Sequence, residues 1–126
     1  MPHVVLEYSG NVQEIANASG LFRELHSVLS EVGGFRLQDF KSRAVRIENY
    51  FIGDGSHEQA FVNLDIRTFG GKSDLAKKRI SQEALKILCR HFDKTLEASS
   101  CDISVQITEL DRKSFSRTRS DRTASK

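Results

Sequence analysis

Phe61-Val62-Asn63-Leu64-Asp65-Ile66-Arg67 sets three aliphatic residues at every second position, and Gly70-Gly71 and Ser73 follow it. That period of two predicts a strand with one face in a core. Gly70-Gly71 breaks the strand and Ser73 can cap what comes next. Ile80, Ala84, Ile87, Leu88, Phe92 and Leu96 then recur at helical spacing, which predicts one long helix. Ile103, Val105 and Ile107 return to period two, a further strand.

Working outward toward the amino terminus, the same order is found again. Val4, Leu6 and Tyr8 alternate with His3, Val5 and Glu7 and predict a strand at the start of the chain. Ser19 is a candidate cap for a helix carrying Leu21, Leu25, Val28, Leu29 and Val32, which Gly33-Gly34 stops. A strand from about Phe40 to Phe51 follows, and Gly53-Asp54-Gly55 is turn chemistry. The chain is thus expected to be α/β (α+β by some schemes). Two βαβ halves, near 2–52 and 59–110, would form a four-stranded mixed sheet with two helices on one face. The other face carries Val5 and Phe61 and is left without a cover, which makes self-association the economical expectation.

The chain has 126 residues and a mass of 14.2 kDa, the size of one domain. We expect a domain over 1–111 and a separate basic tail over 112–126. Residues 1–111 carry a net charge of −3 and residues 112–126 one of +5. The tail has one aromatic, Phe115, and no apolar period, which suits a flexible end or an arm on a neighbouring subunit. No stretch approaches the roughly 20 apolar residues of a membrane span. The start lacks the basic and apolar regions of a secretory signal, so a cytoplasmic protein is expected. In that setting Cys89 and Cys101 are expected to be reduced packing residues.

Pro2 is the only proline, and it stands where a strand begins directly behind Met1. Removal of Met1 would expose a secondary amine. Burial and nearby cations would lower its pKa below the ordinary α-amino value of about 7.7–8.0 and make it a base near neutrality. The competing reading is that proline is simply a common second residue. Lys41 and Arg43 lie two apart on a strand, so they share a face and could grip one anion at the rim of the apolar Val45 and Ile47. They could equally be solvated charges on an edge strand. Gly53-x-Gly55 has Glu58 in place of a third glycine and precedes a strand, which argues against a dinucleotide site. Cys89 and His91 lie two apart on a helix, diverge, and have no second pair, so no metal site is expected.

The Pro2-His3 start of a strand, the βαβ repeat, Lys41-Ser42-Arg43, and Asp54-Gly55-Ser56-His57 before Ala60-Phe61-Val62 resemble the tautomerase superfamily. More narrowly, they are similar to the 5-carboxymethyl-2-hydroxymuconate isomerase family. The resemblance runs from Pro2 to about Leu110 and includes the region of Phe115. It implies a tautomerase-like fold, a homotrimer, and a cofactor-free isomerisation of a carboxylated dienol to its enone, with 5-carboxymethyl-2-hydroxymuconate or a related intermediate of aromatic catabolism as substrate. It implies Pro2 as general acid and base, with Lys41, Arg43 and Lys72 binding the substrate carboxylates. Lys41 and Lys72 stand where the family pattern has arginine, and a lysine cannot make the planar two-point contact that arginine makes with a carboxylate.

Two other readings remain open. One is a non-enzymatic binding module using the basic tail on an acidic partner or RNA. The sheet lacks the aromatic, glycine-rich strand signature of RNA recognition, so nucleic acid is not the expected partner. The other keeps the fold and the proline but performs dehalogenase- or hydratase-like chemistry.

Overall fold

The computed structural model describes residues 1–122; the last four residues of the expected tail lie outside the described residues. Its elements are β1 (His3–Ser9), α1 (Ala18–Gly33), β2 (Lys41–Ile47), β3 (Gln59–Phe69), α2 (Asp74–His91), α3 (Asp93–Ala98) and β4 (Ser100–Leu110). The four strands form one sheet in the order β2-β1-β3-β4. β1 runs parallel to β2 and β3 parallel to β4, while the two central strands, β1 and β3, are antiparallel. The mixed sheet of two βαβ units is the fold expected from the sequence.

One face of the sheet is the core. Val4, Leu6 and Tyr8 of β1 and Ala60, Val62, Leu64 and Ile66 of β3 alternate into it, where they meet Leu21, Leu25 and Leu29 of α1 and Ile80, Ala84, Ile87 and Leu88 of α2. The helical stripes read from the sequence are therefore the buried faces, with Val28 and Val32 packed at the margin. α1 begins earlier than expected: Asn17, not Ser19, is the cap, and its side chain accepts a hydrogen bond from Gly20 N at 3.1 Å. Asn17 lies three residues before Gly20 and so reaches the first free N–H groups, whereas Ser19 is already inside the first turn. Gly34 ends the helix at φ +71°, a left-handed conformation that glycine adopts without strain.

Two expectations need correction. The second helix is not continuous, because the chain leaves helical geometry at Phe92 and resumes as α3. This bend drives the Phe92 ring into the core, where it is 1% exposed, and leaves Leu96 39% exposed outside the stripe. Glu14 stabilises the new start by accepting from the N–H of Thr95 at 3.0 Å and from the Thr95 hydroxyl. The second strand also stops short, at Ile47 rather than Phe51. Ile47 pairs with Ser9, the last residue of β1, and beyond it no partner continues the ladder. Phe51 is consequently 78% exposed.

The face away from the helices is mixed. Val5 there is only 6% exposed, but much of the rest is polar: Asn63 donates to Ser104 and Gln106, and Asp65 accepts from Arg67 and Thr108. No helix among the described residues is long and apolar enough to cross a membrane.

Candidate active site

Pro2 is buried at the origin of the central strand β1. Its carbonyl accepts a hydrogen bond from Lys41 N at 3.1 Å, which ties the start of the chain to the first residue of β2. From there the register lines up side chains: His3 pairs with Lys41 on one side and Arg67 on the other, and Val5 pairs with Arg43. Strand neighbours in register project to the same face. His3, Lys41, Arg43 and Arg67 therefore share the face that the helices leave open, next to the amino terminus.

These cations differ in how they are held. Arg67 is paired with Asp65 at 3.0 Å. Arg43 Nη1 donates to His3 Nδ1 at 3.0 Å, and Lys41 Nζ donates to the backbone oxygen of Asp39 at 3.3 Å; neither has a carboxylate partner among the described residues. The structure thus brings Lys41 against the Pro2 carbonyl and Arg43 against the neighbouring His3. Lys72 is engaged elsewhere: its Nζ donates to Gly33 O at 2.6 Å and stands 4.4 Å over the Phe35 ring, closing the carboxyl end of α1. Phe35 packs edge-on against Phe40, the residue before Lys41, with centroids 5.5 Å apart. One aromatic pair therefore separates Lys72 from the start of β2.

The electrostatics follow from this crowding. The α-amine in the structure belongs to Met1, one residue before the proline nitrogen, and it reports the surroundings that nitrogen would have. Burial first, then Lys41 and Arg117, hold it below the ordinary α-amino value, with Asp39 acting in the opposite direction. His3 is likewise held below the usual imidazole value, by burial and then by Arg43, Lys41, the amino terminus and Arg67. A neutral imidazole can accept from the Arg43 guanidinium, which a protonated one cannot. The lowered pKa favours the neutral amine, and a neutral amine close to cations without counter-ions can take a proton from an acidic carbon or enol while the cations attract carboxylates.

The contact between His3 and Arg43 is not readable from the sequence. Only the β1–β2 register puts the two in contact, and no local pattern encodes that register.

The family model for 5-carboxymethyl-2-hydroxymuconate isomerase matches residues 2–121. The 5-carboxymethyl-2-hydroxymuconate Delta-isomerase of Escherichia coli is 28% identical over 110 residues, which cover 87% of each chain. Among solved structures, a 5-carboxymethyl-2-hydroxymuconate isomerase from Deinococcus radiodurans R1 is 26% identical with a TM-score of 0.85, over 94% of this chain and 90% of the other. A more distant one, a fused 4-OT described as a symmetric trimer, shares the fold at 15% identity and a TM-score of 0.68, over 86% of each chain. A buried proline that opens the central strand of a tautomerase fold, beside two unneutralised cations, is thus found in an isomerase: the chain belongs to the 5-carboxymethyl-2-hydroxymuconate isomerase family.

Proposed function

We propose that, once Met1 is removed, the Pro2 amine interconverts a carboxylated dienol and its enone, with 5-carboxymethyl-2-hydroxymuconate or a closely related intermediate of aromatic catabolism as substrate. The observation that carries this reading is the burial of Pro2 at the start of β1 with Lys41 and Arg43 beside it. While Met1 is attached, the proline nitrogen is a tertiary amide without useful basicity.

In the forward direction the neutral amine removes the dienol O–H proton. The O–H electron pair becomes the carbonyl, the double bonds shift, and the distal carbon takes a proton back from the prolinium. The product is an isomer, so no oxidant or reductant is consumed. Arg43 and Lys41 orient a carboxylate and offset the charge that develops on the dienolate oxygen. Arg43 offers a planar fork and Lys41 a point charge, so Arg43 is the directing group. Lys72 would have to release Gly33 O to reach substrate, and we give it an outer role. Proton transfer by a placed base contributes roughly 10²–10⁴ in rate, so orientation and the cations supply the remainder.

We further propose that the working unit is a homotrimer. The symmetric trimer of the fused 4-OT supports this by analogy of fold, and so does the open sheet face, where Val45 is 38% exposed. A groove of about 780 Å³ among the described residues runs along β4 by Cys89, Cys101 and Ile103, away from Pro2. A neighbouring subunit would wall the site.

Intact mass, sedimentation and turnover of carboxylated enols, measured on one preparation, test the reading. The expected result is a chain lighter by one methionine, sedimenting near three times 14.2 kDa and active. A chain retaining Met1 should be nearly inactive, and Pro2→Ala, which keeps a primary amine, should lose roughly 10²-fold. Full activity in a chain shown to keep Met1 would overturn the proline mechanism, and a fully active monomer would overturn the trimer.

A further inference from the structure

We propose that Arg117, on the basic tail, is a further substrate-carboxylate contact and makes the site selective for enols bearing more than one carboxylate. The proposal rests on the reading of Pro2 as the centre of the site.

The geometry begins at Phe69, the last residue of β3. Because His3 pairs with Arg67 in the antiparallel β1–β3 ladder, Phe69 lies alongside the very start of the chain. Two tail residues are fastened to its ring. The Arg112 guanidinium lies 4.2 Å over it, and Phe115 packs edge-on with centroids 5.0 Å apart and planes at 88°. Between them the chain makes a 3-10 turn, Arg112–Ser114, in which the Asp111 side chain accepts from Lys113 N at 3.1 Å. An edge-to-face pair and a cation over a ring each favour a defined position over a free end. The first part of the tail is therefore folded back onto the end of the sheet where Pro2 lies.

Arg117 follows Phe115 by two residues, a span of at most about 7 Å of backbone. It reaches far enough to act on the Met1 amine, and in the same sense as Lys41. Arg46, Lys86 and Arg90 at other places on the surface each pair with a carboxylate, as Arg67 does. Among the described residues, Lys41, Arg43 and Arg117 do not. Lys41 and Arg117 act on the amine together, opposed by Asp39, and Arg43 stands one residue on against His3; this excess of positive charge is unfavourable until an anion joins it, and a substrate with several carboxylates supplies that anion. Lys41 and Arg43 arrive on a strand, whereas Arg117 arrives from the tail, so it can address a different carboxylate of the same molecule.

The test compares wild type, Arg117→Gln, Arg117→Lys, Phe115→Ala and the surface control Arg79→Gln at physiological salt. Each acts on a monocarboxylate enol such as phenylenolpyruvate and on the tricarboxylate 5-carboxymethyl-2-hydroxymuconate. Arg117→Gln should raise KM for the tricarboxylate roughly tenfold, leave kcat within about twofold, and leave the monocarboxylate constants unchanged. Arg117→Lys should recover part of the loss. Phe115→Ala, which frees the tail, should reproduce the Arg117→Gln pattern. Equal losses on both substrates, no loss, or the same loss in Arg79→Gln would overturn the tail contact while leaving the Pro2 reading intact. If wild type turned over neither enol, the Pro2 reading itself would fall, and the tail contact with it.

Discussion

The two βαβ halves are built on one plan and differ most at the starts of their strands. In the first, β1 and β2 begin in register with His3 against Lys41, and Val5 against Arg43 comes next. In the second, β3 and β4 begin with Gln59 against Ser100, and Phe61 against Asp102 comes next. Arg43 and Asp102 thus occupy equivalent places with opposite charge, and Lys41 is matched by Ser100. Because β1 and β3 are antiparallel, these two starts lie at opposite ends of the sheet. At the second end Asn11 donates to Gln59 O at 2.7 Å and Glu14 is occupied by Thr95. The frame is duplicated and the chemistry is not. Topology supplies two equivalent strand starts, and side-chain choice gives them opposite charge.

The largest effect that would break this comparison is structural. Leu6 and Leu64 face each other across the β1–β3 junction, both fully buried, and join the halves into one core. Leu64→Ala should cost about 2–5 kcal/mol of stability in a single cooperative denaturation. Two separated transitions, one per half, would show that the halves are not one folding unit.

A smaller effect sharpens the charge contrast. Arg43→Ala should lower kcat/KM by roughly 10²-fold through loss of a charged, directional contact, and Asp102→Ala at the matching position should stay within about twofold. Similar losses in both variants would mean that the second end also takes part.

The smallest expected effect is in pH. His3 and His26, both in the first half, are held below the usual imidazole value, His26 by burial where it stacks on Phe40. The unfolded chain therefore takes up protons that the folded chain refuses. The stabilising difference is intact above the unfolded value of about 6.5 and is lost progressively as pH falls from there through the lower folded values. A melting temperature that drifts down by a few degrees from pH 7.5 to 5.5 is expected, with the drift reduced in a variant carrying His3→Gln and His26→Gln. A melting temperature that rises over that interval would contradict the sign.

How far the site could be read in advance depends on how local its determinants are. The placing of Lys41 and Arg43 on one face of a strand was legible, because two cations of equal parity are a property of a few consecutive residues. The role of His3 was not, since its hydrogen bond to Arg43 spans 40 positions and exists only in one register. Lys72 was legible as a cation by Gly70-Gly71, but its engagement with Gly33 O joins the start of α2 to the end of α1. Nor did the tail's composition predict that Phe115 and Arg112 would find Phe69.

The sequence by itself determined the order of the main elements and the buried faces of the strands and long helices, because periodicity acts over one or two turns and any fold must satisfy it; the family came from the resemblance of its motifs. Its errors fell where a distant partner overrides the local pattern: β2 ends at Ile47 because β1 ends opposite it, and the second helix bends at Phe92 because the core takes that ring. Tertiary structure alone decided which charges stay without a counter-ion. Neutralisation depends on which side chains the strand register and the folded-back tail bring within reach, and that distance is not written along the chain.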